Sequence, residues 1–149
     1  MATTQGFEII QNDSSSNKLK KKIQTLNESV ELIEMMYKTN FIVLVMQSAR
    51  NKVMIWDDFE RKNRTEISFN GPVRSIKLRK DMMIVVLEMK TFVFSFMTMK
   101  LIESVDTGPN PNGLCGVATA EKAIQKTLVY PMKAKGFIRI LNYSKSFIP

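Results

Sequence analysis

The sequence predicts an all-β chain made of repeated four-stranded groups, a partial WD-repeat β-propeller. Short β-branched and aromatic runs alternate with turn residues from end to end. Equivalent runs recur at a step of roughly 40–46 residues, the period of four-stranded propeller blades. One such run closes on Trp56-Asp57, the dipeptide that marks blades of this kind.

The runs can be taken in order. Gly6-Phe7-Glu8-Ile9-Ile10 is strand-like, and Asn12–Asn17 reads as a turn. Lys18–Lys22 is a basic cluster, read as loop, and Ile23–Met36 is read as loop then strand. Val30–Met36, Phe41–Met46, Val53–Trp56 and Thr65–Phe69 make one group of four strands. Val73–Leu78, Met82–Leu87, Phe92–Phe96 and Leu101–Val105 make the next. Leu114–Ala118, Thr127–Tyr130 and Phe137–Leu141 supply three strands of a third. The expected division is therefore 1–27 for a lone first-blade strand with a polar and basic loop. Blades follow at 28–70 and 71–107, and an incomplete blade with a tail at 108–149. That is about two and a half blades, too few to close a ring of four to eight.

Composition narrows the chemistry. Of 149 residues, 44% are hydrophobic and 24% charged, which is a folding composition and not a disordered one. The net charge of +8 favours acidic partners: anionic lipid, nucleic acid or an acidic protein. The chain has no histidine and one cysteine, Cys115. Histidine-based nucleophilic systems and thiolate or imidazole zinc sites are excluded, as is an intrachain disulfide. Nothing cradles phosphate in a glycine-rich loop, and no carboxylates converge. The expectation is a binding protein with no cofactor and no enzymatic activity. The polar N-terminus lacks the apolar core of a secretory signal, and the longest apolar runs are far shorter than the ~20 residues that span a bilayer. An intracellular chain with at most peripheral membrane contact is expected.

Several ordered motifs carry a resemblance. Val30-Glu31-Leu32-Ile33-Glu34-Met35-Met36, Val53-Met54-Ile55-Trp56-Asp57-Asp58, Val73–Asp81, Ile84-Val85-Val86-Leu87-Glu88, Lys100-Leu101-Ile102-Glu103 and Asn110-Pro111-Asn112-Gly113-Leu114-Cys115 follow one another. In this order they resemble the autophagy-related protein 18 family of propellers, also called PROPPINs, and especially its plant members. The resemblance runs over most of Gly6–Ile140 and implies part of a seven-bladed fold. It implies a scaffold at preautophagosomal or vacuolar membranes that binds phosphatidylinositol 3-phosphate and recruits an autophagy-related protein 2 type partner. It further implies that partner recognition uses the second and third blades. The family's lipid-binding Arg-Arg-Gly motif has no match here: Leu78-Arg79-Lys80-Asp81 lacks the glycine. The opening strands of the first blade are also missing, and Asn112 stands where lysine is common. The chain thus reads as a truncated member, with phosphoinositide binding weakened.

Candidate site residues follow. Arg74, Lys77, Arg79 and Lys80 are the candidate partner-docking patch, against the plainer reading of a solvated face. Lys18, Lys20, Lys21 and Lys22 are candidates for non-specific contact with anionic lipid, at about 1 kcal/mol per basic residue near a charged surface. Trp56 is expected to pack between strands, not to stack on a ligand. Cys115 is expected to be inert. Asp57-Asp58 is expected at a structural turn, because successive strand residues point to opposite faces. Gly113 and Gly136 are expected at turns. Competing functions are a nonfunctional remnant and a basic nucleic-acid-binding β domain. The second lacks aromatics interleaved with the basic residues, so no nucleic-acid partner is expected.

Overall fold

The computed structural model describes residues 1–13, 18–36, 39–118 and 126–143. They form fourteen strands in four antiparallel sheets, with no helix among them. The chain divides into two compact units, Met1–Phe69 and Asn70–Pro149.

In the first unit, β1 (Ala2–Thr3), β2 (Gly6–Asp13) and β3 (Lys18–Thr25) form a sheet in that order. Then β4 (Val30–Met35), β5 (Phe41–Met46), β6 (Ala49–Asp57) and β7 (Lys62–Ser68) form a four-stranded meander. The apolar run of β5 is buried on both faces, which is why it is continuous and not alternating. Phe7 of β2 meets Val30, Ile42, Leu44, Met46 and Trp56 in one core. The Phe7 and Trp56 rings stand edge to face, 6.3 Å apart at 76°. This arrangement favours the opposed quadrupoles of the two rings. Trp56 is thus a packing residue, as expected.

Two readings of this region need correction. Lys18–Thr25 is a strand and not a loop: it pairs with β2 from Gly6↔Thr25 to Asp13↔Lys18. Lysine content misled the reading. A strand at the rim of a sheet needs its backbone groups paired on one side but no apolar face, and lysine is a common rim residue. Gly6–Ile10 is accordingly no lone strand but the middle of three.

In the second unit, β8 (Val73–Arg79), β9 (Met82–Leu87), β10 (Lys90–Ser95) and β11 (Leu101–Asp106) repeat the four-stranded meander. Here β9 is the strand buried on both faces. A last sheet follows, of β12 (Gly116–Val117), β13 (Lys126–Pro131) and β14 (Ile138–Tyr143). Met82, Ile84, Val86 and Val93 of one sheet pack on Leu128, Tyr130 and Tyr143 of the other.

The strand expected over Leu114–Ala118 shrinks to two residues. Asn110 is the reason. Its buried side chain donates from Nδ2 to the Leu114 carbonyl (2.9 Å) and accepts the Leu114 N–H at Oδ1 (2.8 Å). Leu114 has no free groups left for a ladder, so pairing starts at Gly116. Gly113 turns the chain there with φ +62°. Gly136, at φ +87°, turns it between β13 and β14. Both glycines sit where expected.

Candidate functional site

Alternation along β8 puts Lys77 and Arg79 on one face, but Arg79 is buried there, so the four basic residues do not form one exposed patch. Arg74 and Lys80 lie at opposite ends of the strand, about 20 Å apart at 3.3 Å per residue. Arg74 donates from Nη2 to Glu88 Oε2 at 2.7 Å, across the β8–β9 pair. Lys77 sits beside Cys115 and acts electrostatically on its thiol. Arg79 is buried. It donates from Nε to Asp81 Oδ1 (3.0 Å) and from Nη1 to the Ala118 carbonyl (2.8 Å). Its guanidinium locks the β8–β9 turn to the start of the next sheet. This is a structural role, so Arg79 leaves the docking patch. Of the four, Arg74 and Lys77 are half-buried and Lys80 is exposed.

Lys18, Lys20, Lys21 and Lys22 have their backbone in β3; their side chains lie outside the described residues.

A different cluster lies at the Arg74 end of the second unit, where the β9–β10 turn meets the loop between β13 and β14. Asp106, at the end of β11, receives Lys133 Nζ at 3.3 Å and Lys90 Nζ at 3.6 Å. The hydrogen bond and charge of Lys133, then the charge of Lys90, hold the Asp106 carboxyl below its usual value. Lys90 also lies over the Phe92 ring, 5.8 Å from its centroid. This Lys90–Asp106–Lys133 ridge borders two clefts. One, of about 330 Å³, is walled by Gly108, Pro109, Pro131, Met132 and Phe137, with Lys133 and Lys135 among its lining residues. The other, of about 310 Å³, is lined by Asn70, Pro72, Leu87, Glu88 and Met89, with Lys90 and Asp106. Gly108 lets the walls close: a Cβ there would stand 2.8 Å from the Met132 carbonyl oxygen. Sequence reading missed this ridge because its members lie on three separate turns. The one local signal was Met132-Lys133-Ala134-Lys135-Gly136-Phe137, alternating apolar and basic residues before a turn glycine.

Asp57 and Cys115 take structural places. Asp57 Oδ1 accepts from Asn40 Nδ2 (2.6 Å) and from the N–H groups of Phe59 (3.0 Å) and Glu60 (3.2 Å). Its Oδ2 receives Arg64 Nε at 3.0 Å. Cys115 packs against the core of the second unit, and burial raises its thiol to about 11. At neutral pH it is a thiol, not a nucleophilic thiolate. Among the described residues no group of acidic, Cys or His side chains could hold a metal ion.

Comparison with known proteins fixes the family. Autophagy-related protein 18 of Emericella nidulans is 28% identical over 135 residues, covering 91% of this chain. Its namesake in Debaryomyces hansenii is 32% identical over 116 residues, 73% of this chain. The chain belongs to the autophagy-related protein 18 family. It spans 30% of the first relative's length and 21% of the second's. The fold agrees. The structure of Hsv2p of Kluyveromyces lactis superposes with a TM-score of 0.75 at 22% identity, over 97% of this chain and 42% of that one. No family model matches the sequence. The two four-stranded sheets, β4–β7 and β8–β11, are thus propeller blades, and the chain is an autophagy-related propeller protein.

Proposed function

We propose that this chain is a non-enzymatic scaffold of autophagosome formation. It takes up an acidic segment of an autophagy-related protein 2 type partner at peripheral, phosphoinositide-bearing membranes. The observation that carries the reading is the Lys90–Asp106–Lys133 ridge, with Lys135 beside it and an apolar cleft on either side. One acidic group leaves the ridge with a cationic surplus, and the clefts offer apolar walls to flanking side chains. Exposed charge pairs contribute little to stability, but cations of this kind steer encounter and set specificity.

Two features support the family's partner function over its lipid function. The third blade, on which the family resemblance places partner recognition, is present as β8–β11. The Arg-Arg-Gly lipid motif is not in the sequence.

The test is capture of peptides from an autophagy-related protein 2 type partner. A Lys133→Glu, Lys135→Glu double variant is expected to lose capture at least tenfold. Lys80→Glu, at the other end of β8, is expected to bind like wild type. Equal capture by all three would remove the ridge from the reading. No capture by any would leave a nonfunctional remnant as the better account.

A further inference from the structure

Backbone bonds place Asp106 independently of its ion pairs. In the β10–β11 ladder it lies directly opposite Lys90. The chain leaving it is tied down at once. The Thr107 N–H donates to the Met89 carbonyl (2.9 Å) and the Asn110 N–H to the Glu88 carbonyl (2.8 Å). The turn between β13 and β14 is set in the same way. Its Met132 N–H donates to the Phe137 carbonyl (2.9 Å) and its Phe137 N–H to the Ala134 carbonyl (3.2 Å). Gly108 lies against this turn so closely that a Cβ would stand 3.2 Å from the Lys133 carbonyl oxygen. Lys133 and Asp106 are thus brought within reach by their backbones. Only the two side chains have to move for their contact to open.

That contact is exposed to competition. The side chains of Lys133, Asp106 and Lys90 are 71%, 55% and 42% exposed. An ion pair this open to water shifts an equilibrium by no more than about fivefold. An incoming carboxylate offers Lys133 the same chemistry that Asp106 offers it, so the exchange loses no hydrogen bond. The charges do not cancel. Lys135 lines the same cleft as Lys133, so three ammonium groups meet the one carboxylate of Asp106. Glu88 is paired with Arg74 at 2.7 Å and adds nothing to the balance. Two positive charges are left over.

We infer that Asp106 is a built-in competitor for the partner's carboxylate, and that it makes the ridge select segments carrying two acidic residues close together over segments carrying one. The inference rests on the ridge reading above and adds its selectivity. A single carboxylate that takes Lys133 must displace Asp106 and then sit beside it, like charge next to like charge. Asp106 keeps Lys90 meanwhile, so it stays at the site. A second carboxylate, set on Lys135, offsets that repulsion. Selectivity of this kind comes from a repulsive group as much as from an attractive one.

The test is fluorescence anisotropy of the full chain with two peptides on one Gly-Ser-Leu frame, bearing one or two glutamates. Both are acetylated and amidated, so the glutamates carry their only charges. Wild type is expected to bind the two-glutamate peptide severalfold more tightly. Asp106→Asn is expected to bind the one-glutamate peptide about three- to fivefold more tightly than wild type does, and to narrow the preference accordingly. Asp106→Glu keeps a competing carboxylate and is expected to bind like wild type. Glu66→Gln makes the same change in net charge at an exposed position of β7 and is expected to leave both affinities unchanged. Weaker binding by Asp106→Asn would make Asp106 a residue that positions the lysines and would overturn the inference. Equal gains in Asp106→Asn and Glu66→Gln would overturn it too, because net charge alone would then account for the change. Binding lost in the Lys133→Glu, Lys135→Glu variant but untouched by Asp106→Asn would overturn the competitor and leave the ridge reading standing. Capture of neither peptide by any of these proteins would remove both together.

Discussion

Asp57 shows how much one side chain does at a blade corner. It is almost wholly buried and gathers four donors from three segments: Asn40 before β5, Phe59 and Glu60 in the β6–β7 turn, and Arg64 on β7. Burial alone would raise its carboxyl; hydrogen bonds from Asn40, Glu60, Phe59 and Arg64 outweigh it and hold the carboxyl below its usual value. The unfolded chain, with a value near ~3.9, therefore binds the proton more readily. The stability this group contributes is complete above about pH 4 and is lost as pH falls through the lower folded value. The urea midpoint of wild type is expected to drop more between pH 7 and pH 3 than that of Asp57→Asn, which has no carboxylate to titrate. Equal drops would show that Asp57 makes no such contribution. At this scale the sequence was partly legible. The Trp-Asp pair marked the corner, and alternation ruled out an acid pair. Arg79 was misjudged because its exposure depends on Ala118, 39 residues away, and no local pattern reports a contact that distant.

Strands were legible where packing dictates composition. β5 and β9 must fill space on both faces, so Phe41–Met46 and Met82–Leu87 are continuous apolar runs. β3 and β12 were not, because backbone pairing in one and the Asn110 clamp in the other decide their extent. Glycine turns separate the same two influences, conformation and space. Gly113 and Gly136 both adopt positive φ. A Cβ on Gly113 would stand 2.7 Å from Ser75 Cβ and 2.8 Å from the Arg74 carbonyl carbon, while one on Gly136 meets nothing within 4 Å. Gly136→Ala is expected to cost about 1 kcal/mol from backbone conformation alone. Gly113→Ala adds a clash with the backbone of β8 and is expected to cost about 1–3 kcal/mol more. Chemical denaturation of the two variants checks this; equal losses would mean that β8 yields without cost.

On the scale of the whole chain, charge separates the possible partners. The surplus of eight positive charges attracts any anionic surface, so binding to anionic vesicles is expected whether or not a specific site exists. What distinguishes the two cases is head-group preference and salt. A specific phosphoinositide site fixes several phosphate oxygens with paired guanidinium groups, and no Arg-Arg-Gly motif is present in this sequence. The ridge lysines are point charges on flexible stems, and such groups do not discriminate one phosphate arrangement from another. Exposed charges are screened over about 8 Å at physiological ionic strength and about 3 Å at 1 M salt. Flotation with vesicles containing phosphatidylinositol 3-phosphate is therefore expected to match flotation with phosphatidylserine vesicles of equal charge. Both are expected to fall away as salt rises from 0.05 to about 0.5 M, where screening approaches the contact distance. Lys133→Glu with Lys135→Glu should lower both equally, since a two-lysine loss weakens attraction without changing selectivity. Salt-resistant flotation confined to phosphatidylinositol 3-phosphate would mean that these propeller blades hold a lipid site of their own.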